Sequence, residues 1–318
     1  FKLVVAGVKI KIILLSVLFL SSCLGPSLHK DRFFVLGTYL EVLSEDKSAA
    51  GIVYQEFRRL DSIFNKYSSD SEIYKLNNNP GREIKVSPEL IDLILKSKKY
   101  YQLTDRAFDV SKGKLYSFWK EWGENGKDFP AQEKITRLND LGSMAGIKVD
   151  VKQNTVKLKE GVSLDFSGVA KGYIVDKAAE KIKKRGINSA LINAGGDIYC
   201  LGDNRGKPWR VGVSDPLGKT VKVEEISAQA VVTSGNYRQF YQKEGKIYSH
   251  IIDPRTGYPV KRGLLGVTVI ADQAWVADIL ATAFFINGKE FAARFIKDNP
   301  SVKAYFVTEN ELVVFQNK

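Results

Sequence analysis

The stretch "LDFSGVAKGYIVDKAAE", Leu164 to Glu180, joins a short apolar strand to a helix. Asp165 closes the strand, Ser167 and Gly168 form the joint, and Lys171 stands in the first helical turn. A helix opening presents unpaired N–H groups and the positive end of a dipole, so it attracts phosphate. A lysine beside it adds a mobile positive charge. The same residues also suit a structural role, with Ser167 as an ordinary N-cap and Lys171 solvated. The stretch is neither a Walker A loop nor a G-x-G-x-x-G fingerprint.

Working outward, strands and helices are mixed without regular βαβ alternation. "FFVLGTYLEVL" alternates like a strand with Gly37 in it, and Ile52, Val53, Phe57, Leu60 and Phe64 recur at helical spacing. "SPELIDLILKSKKYYQLT" has Ser87 as N-cap, Pro88 at the first helical position and Glu89 in the first turn. "PAQEKITRLNDLG" reads as a short helix stopped by Gly142, and "IKVDVKQNTVKL" as a hairpin turning near Gln153-Asn154. Strands are expected near Ala190 and Trp209, then in "VVTSGNY" and "IYSHIIDPRTG". A helix from about Trp275 to Ile286, another from Lys289 and a final hairpin at Glu309-Asn310 close the chain. This order predicts an α+β fold with largely antiparallel sheets. No linker marks an internal boundary, so residues 33–318 form one expected domain.

Composition allows a sizeable core: 318 residues, 44% hydrophobic and 26% charged, with a net charge of +12. The positive balance suits anionic substrates or anionic lipid, or lysines scattered over solvated faces. Runs such as "KSKK" and "KIKKR" fall on helix surfaces without interleaved aromatics, which argues against nucleic acid. At the N-terminus, Lys9 and Lys11 precede an apolar run, Ile12 to Leu20, and then "LSSC". That is a secretory signal, and the run is shorter than the ~20 residues a spanning helix needs. Leu20-Ser21-Ser22-Cys23 resembles a bacterial lipoprotein box, so residues 1–22 are the expected signal, Cys23 the lipidated residue and 23–32 a tether. The protein is then expected on the extracytoplasmic, periplasmic face of a membrane. A plain signal peptide with an incidental cysteine is the alternative. Cys200 has no partner, so no intrachain disulfide is expected.

The helix "AWVADILATAFFING" is apolar all round, which marks a buried helix. Its polar exceptions, Asp278 and Thr282, lie four apart and therefore on one face. A buried carboxylate is costly unless paired or bound to metal. A carboxylate with a hydroxyl suits Mg²⁺ or Ca²⁺ rather than zinc. An aspartate paired with a lysine, or capping a neighbouring loop, is an equally open reading. Three loops also look purposeful. "NAGGD" carries Gly195 and Gly196 after a strand, and "TSGNY" ends another in small residues. "HIIDPRTG" holds His250, Asp253 and Arg255, a possible acid–base site or a well-capped turn.

"YSSDSEIYKLN", "AFDVSKGKLYSFW", "LDFSGVAKGYIVD", "NAGGDIY", "TSGNYRQFY", "HIIDPRTGYP" and "ADILATA" occur in this order. The set resembles the ApbE-like flavin transferase family of bacterial lipoproteins, from about Phe34 to the C-terminus. The resemblance implies a T-fold-like architecture and an FAD-binding, Mg²⁺-dependent enzyme. Such enzymes cut the FAD pyrophosphate, transfer FMN to a threonine hydroxyl of a partner protein and release AMP. Typical acceptors are subunits of membrane redox complexes. Carried over, the metal ligands are the Gly168 carbonyl, Asp278 and Thr282. The FAD contacts are Leu36, Tyr67, Ala107, Phe108, Asp109, Asp165, Lys171 and the neighbourhood of Ile252. His250 lies by the phosphates and is the first candidate for the base that accepts the threonine proton, with Asp109 second. The chain departs from the family pattern at Leu36 for a usual Met, Arg106 for a common Gly, and Gly168 for a usual Ala or Ser. An FAD pyrophosphatase, and a lipid-anchored flavin carrier without turnover, remain as alternatives.

Overall fold

A computed structural model describes residues 27–214, 220–235, 240–243, 245–261, 263–308 and 312–316. The signal segment, Cys23 and the turn at Glu309-Asn310 lie outside the described residues.

The chain opens with β1 (His29–Val35), β2 (Thr38–Ser44) and α1 (Ala49–Phe64). An inserted region follows, made of α2 (Glu72–Asn77), β3 (Glu83–Lys85), α3 (Pro88–Leu103), α4 (Gly113–Asn125), α5 (Gln132–Leu141), β4 (Ile147–Asp150) and β5 (Thr155–Leu158). Then come α6 (Ala170–Lys184), β6 (Ala190–Ala194), β7 (Asp197–Leu201), β8 (Trp209–Ser214), β9 (Thr220–Ile226) and β10 (Gln229–Gly235). The last part holds β11 (Phe240–Lys243), β12 (Lys246–Ser249), β13 (Ile252–Asp253), β14 (Tyr258–Pro259), β15 (Leu264–Ala271), α7 (Ala274–Asn287), α8 (Lys289–Asp298), β16 (Lys303–Thr308) and β17 (Leu312–Phe315).

Eight strands form one sheet in the order β1-β2-β6-β7-β10-β15-β16-β17, and every neighbouring pair is antiparallel. The expected α+β architecture is therefore the observed one. Helices α1, α6 and α7 cover one face. The β8–β9 ribbon covers part of the other, where Trp209, Val211 and Val213 pack with Cys200, Val231, Ile270 and Tyr305. Cover on both faces explains why β15 is buried at nearly every position and reads as a continuous apolar run. Cys200 is a buried free thiol in this second core, and burial pushes it up to about 12, so it is not a reactive thiolate.

Local signals place several elements as expected. Ser87 caps α3 by accepting the Leu90 N–H, Gly142 ends α5, and α7 runs one residue beyond each expected end. Two expectations change. "FFVLGTYLEVL" is a hairpin and not one strand, because Leu36 and Gly37 take φ of 55° and 69°, a two-residue turn that reverses the chain. Ser167 does not cap α6, which begins at Ala170; its N–H and hydroxyl go to Asp165 instead.

Helices α6 and α7 run antiparallel in close contact. Gly172 sits where a Cβ would lie 2.5 Å from the Ala274 carbonyl oxygen and 2.9 Å from the Trp275 Cα. Asp176, one turn on, accepts the Ala274 and Trp275 N–H groups at 2.9 Å each and so caps α7 from another helix. Gly172→Ala must push backbone from backbone. It should cost about 1–3 kcal/mol of stability by denaturant unfolding. An unchanged unfolding midpoint would show that the crossing is not tight.

Candidate active site

One end of the sheet gathers the purposeful loops. Val35 pairs with Thr38 and Ala194 with Asp197, so both hairpins turn in two residues, Leu36-Gly37 and Gly195-Gly196. Because Leu40 pairs with Ala194, the two turns lie side by side. A Cβ on Gly195 would meet the Thr38 Oγ1 at 2.3 Å, and its φ is 66°, so glycine is required there. Leu36 holds a left-handed φ of 55° without being glycine, a strain of about 1–2 kcal/mol. The pairing of Val231 with Ile198 brings Ser234 and Gly235, at the end of β10, to the same edge.

The opening of α6 is delivered to this edge by two fixings of the segment before it, which is not the expected strand but irregular chain whose Ser163 makes a single bridge to Lys112. Asn77 pairs with both backbone groups of Leu164, donating to its oxygen at 2.9 Å and accepting its N–H at 2.7 Å. The Asp165 N–H donates to Val110 O at 2.9 Å. Asp165 is buried, its Oδ1 taking the N–H and hydroxyl of Ser167 and its Oδ2 the Lys66 ammonium at 2.5 Å. Lys171 pairs with Asp197 of "NAGGD". Two lysine–aspartate pairs thus flank the start of α6.

Facing them is the polar stripe of α7. The Gly172 N–H donates to Asp278 Oδ2 at 3.3 Å. Thr282 Oγ1 lies 3.1 Å from Ser234 Oγ, and a Cβ on Gly168 would stand 3.7 Å from Thr282 Oγ1 and 3.6 Å from the Phe108 ring. So residues 168, 172 and 176 meet 282, 278 and 274, a four-residue step on each side. Burial, with Asp197 nearby and Lys171 opposing, pushes the Asp278 carboxyl up to about 7. A buried carboxylate with one long hydrogen bond, two hydroxyls and the adjacent backbone make a hard-oxygen set, which fits Mg²⁺. Asp278, Thr282 and the Gly168 carbonyl would hold it. Among the described residues no group of three or more His, Cys, Asp or Glu forms a metal cluster.

The remaining expected residues are less uniform. Ala107, Phe108 and Asp109 are buried. They follow Asp105 and Arg106 at φ of 49° and 62°, so Arg106 takes the left-handed backbone that a glycine would take. Asp109 Oδ1 accepts the Ser111 N–H at 2.8 Å and hydroxyl at 2.6 Å, and burial raises its carboxyl. Tyr116 donates to Asp109 O at 2.9 Å; burial, then Asp109, Asp165 and Asp253, hold its hydroxyl well above the usual range. Tyr67 is 67% exposed, its ring between the ammonium groups of Lys66 and Lys120. Ile252 packs its side chain among Leu115, Trp119, Trp122 and Ile135 and pairs with Pro259 in the β13–β14 ladder. His250 is half-buried between β12 and β13. Its loop is clipped in place by Arg255, which binds Asp253 through two nitrogens and Asn287 of α7 at 2.8 Å.

Lys66, Asn77, Asp176, Asp197 and Ser234 are site or support residues that sequence reasoning passed over. Asp197 and Asn77 end quoted motifs, and Asp176 lies in the helical row of 168 and 172. Lys66 had no signal beyond its place before Tyr67.

A profile of the ApbE family matches residues 36–306. The chain belongs to the ApbE family. It is 30% identical over 283 residues to the FAD:protein FMN transferase of Klebsiella pneumoniae (strain 342), covering 87% of this chain and 88% of that one. The Escherichia coli (strain K12) protein of the same name is 31% identical over 258 residues, 78% of this chain and 73% of that one. The crystal structure of the ApbE protein from Thermotoga maritima superposes with a TM-score of 0.82 at 30% identity, over 92% of this chain and 97% of that one. The apo flavinyl transferase ApbE of Pseudomonas stutzeri gives 0.80 at 26% identity, over 92% and 95%. Within the family pattern, the departures at Arg106 and Gly168 are locally harmless. Arg106 keeps the turn, and position 168 has ordinary contact distances around a Cβ.

Proposed function

We propose that this protein is an FAD:protein FMN transferase that binds FAD with Mg²⁺, moves the FMN half onto a threonine hydroxyl of a partner protein and releases AMP. The observation that carries this reading is the meeting of Gly168, Asp278 and Thr282 beside Lys171 at the opening of α6. Relatives of that name over most of both chains support it.

The acceptor oxygen attacks the FMN-side phosphorus, the bond to the bridging oxygen breaks, and AMP leaves with that oxygen. Mg²⁺ would neutralise the pyrophosphate and the charge building on the leaving group. Lys171, in the first turn of α6, orients the phosphates. The attacking hydroxyl must lose its proton to a base. His250 is the first candidate for that base and Asp109 the second.

The test is incubation with FAD, Mg²⁺ and a candidate acceptor, such as a subunit of a membrane redox complex, followed by intact-mass analysis. The acceptor should gain FMN with AMP released in step, and chelation should stop both. FMN and AMP without an adduct would make the protein an FAD pyrophosphatase; bound FAD without turnover would make it a carrier.

We also propose a lipid anchor at Cys23 on the periplasmic face, which "LSSC" after a short apolar run supports. Cys23→Ser should move the protein from the membrane to the soluble fraction. Identical fractionation with no lipid mass on the native protein rejects the anchor.

A further inference from the structure

The geometry points to Lys66 as a positioning residue for the flavin substrate, acting through Asp165; this rests on the FAD reading above. The Lys66 ammonium lies 2.5 Å from Asp165 Oδ2, with side-chain exposures of 17% and 2%. The two residues are 99 apart in sequence, so tertiary packing and not a local turn makes the pair.

Lys66 is held in a short, fixed loop at the end of α1. The Tyr67 N–H donates to Asn65 Oδ1 at 3.0 Å, and the Ser71 hydroxyl donates to Asn65 O at 2.6 Å. The same ammonium stands 5.1 Å from the centre of the Tyr67 ring, which Lys120 approaches at 4.8 Å while donating to its hydroxyl at 3.0 Å. One lysine therefore ties an exposed aromatic ring to a buried carboxylate just ahead of α6.

Charge explains why this bears on binding. Ser167 supplies two donors to Asp165 Oδ1, so the carboxylate is hydrogen-bonded without Lys66. What Lys66 adds is neutralisation. Without it, a buried negative charge would face a ligand whose pyrophosphate is itself anionic. With it, Asp165 is part of a neutral pair and does not repel the ligand's phosphates. Lys171 does the same for Asp197 on the other side of the helix start.

The experiment is FAD titration by flavin fluorescence on the full chain, with thermal midpoints measured without FAD. Lys66→Met should weaken FAD binding at least tenfold, and Lys66→Arg should stay within threefold of wild type. In an Asp165→Asn background, Lys66→Met should add less than a twofold loss, because the residue acts through Asp165. An unchanged affinity in Lys66→Met, with or without a lower midpoint, assigns the pair to stability alone and overturns the inference. A full tenfold loss in the Asp165→Asn background also overturns it, since Lys66 would then touch the ligand directly. If wild type itself fails to bind FAD, the FAD reading falls and the inference falls with it. If wild type binds and Lys66→Met binds equally, only the inference falls.

Discussion

Asp278→Asn should reduce FMN transfer by at least ~100-fold, the scale of removing one charge-stabilising group from an active site, while leaving the metal-free protein as stable as wild type or more so at pH 8. The carboxyl of Asp278 is pushed up to about 7 by burial first and by Asp197 second. An aspartate in the unfolded chain titrates near ~3.9. The folded state therefore binds this proton more tightly than the unfolded state does. Its contribution to stability falls as pH rises between those two values and stays low above 7. At pH 8 the metal-free wild type carries that penalty. Asn carries none of it and can still accept the Gly172 N–H. Mg²⁺ should raise the wild-type midpoint at pH 8 and leave the variant's unmoved. An aspartate serving only as the partner of a buried cation forecasts the reverse. A midpoint several degrees lower at pH 8, with the Mg²⁺ response intact, would sink the metal assignment.

The second large effect belongs to Lys171. Its ammonium pairs with Asp197, whose side chain is 5% exposed, and it is the nearby positive charge that opposes the rise of Asp278. Lys171→Met removes a phosphate partner and leaves two carboxylates uncompensated at the same place. A lost charge-assisted hydrogen bond alone is worth ~1–2 kcal/mol. FAD affinity should thus drop tenfold or more, with Lys171→Arg recovering part of it. The thermal midpoint should fall more at pH 8 than at pH 5, since without Lys171 Asp278 is pushed still higher and its charged form is the costly one. Wild-type FAD affinity in Lys171→Met would remove this lysine from the site. An equal midpoint loss at both pH values would reject the electrostatic account.

What the sequence determined by itself is local. The all-apolar surround of "AWVADILATAFFING" marks a buried helix, and a step of four puts Asp278 and Thr282 on one face whatever lies opposite. Ser87 caps α3 because its hydroxyl reaches an N–H three residues on. The lack of βαβ alternation already implied an antiparallel sheet. Tertiary structure alone decided who meets whom. Lys159 and Lys171 each lie six residues from Asp165 in the chain, yet Asp165 takes Lys66 while Lys171 takes Asp197. Asp176 shares a helical row with residues 168 and 172, but only the helix crossing makes it cap α7 from 98 residues away. Even the hairpin at Leu36-Gly37 was hidden, because a leucine at positive φ is disfavoured by its own sterics. Helical periodicity and caps are set by atoms within one or two turns. Ion-pair partners at the site depend on sheet register and helix crossing, which bring together residues that no local spacing relates.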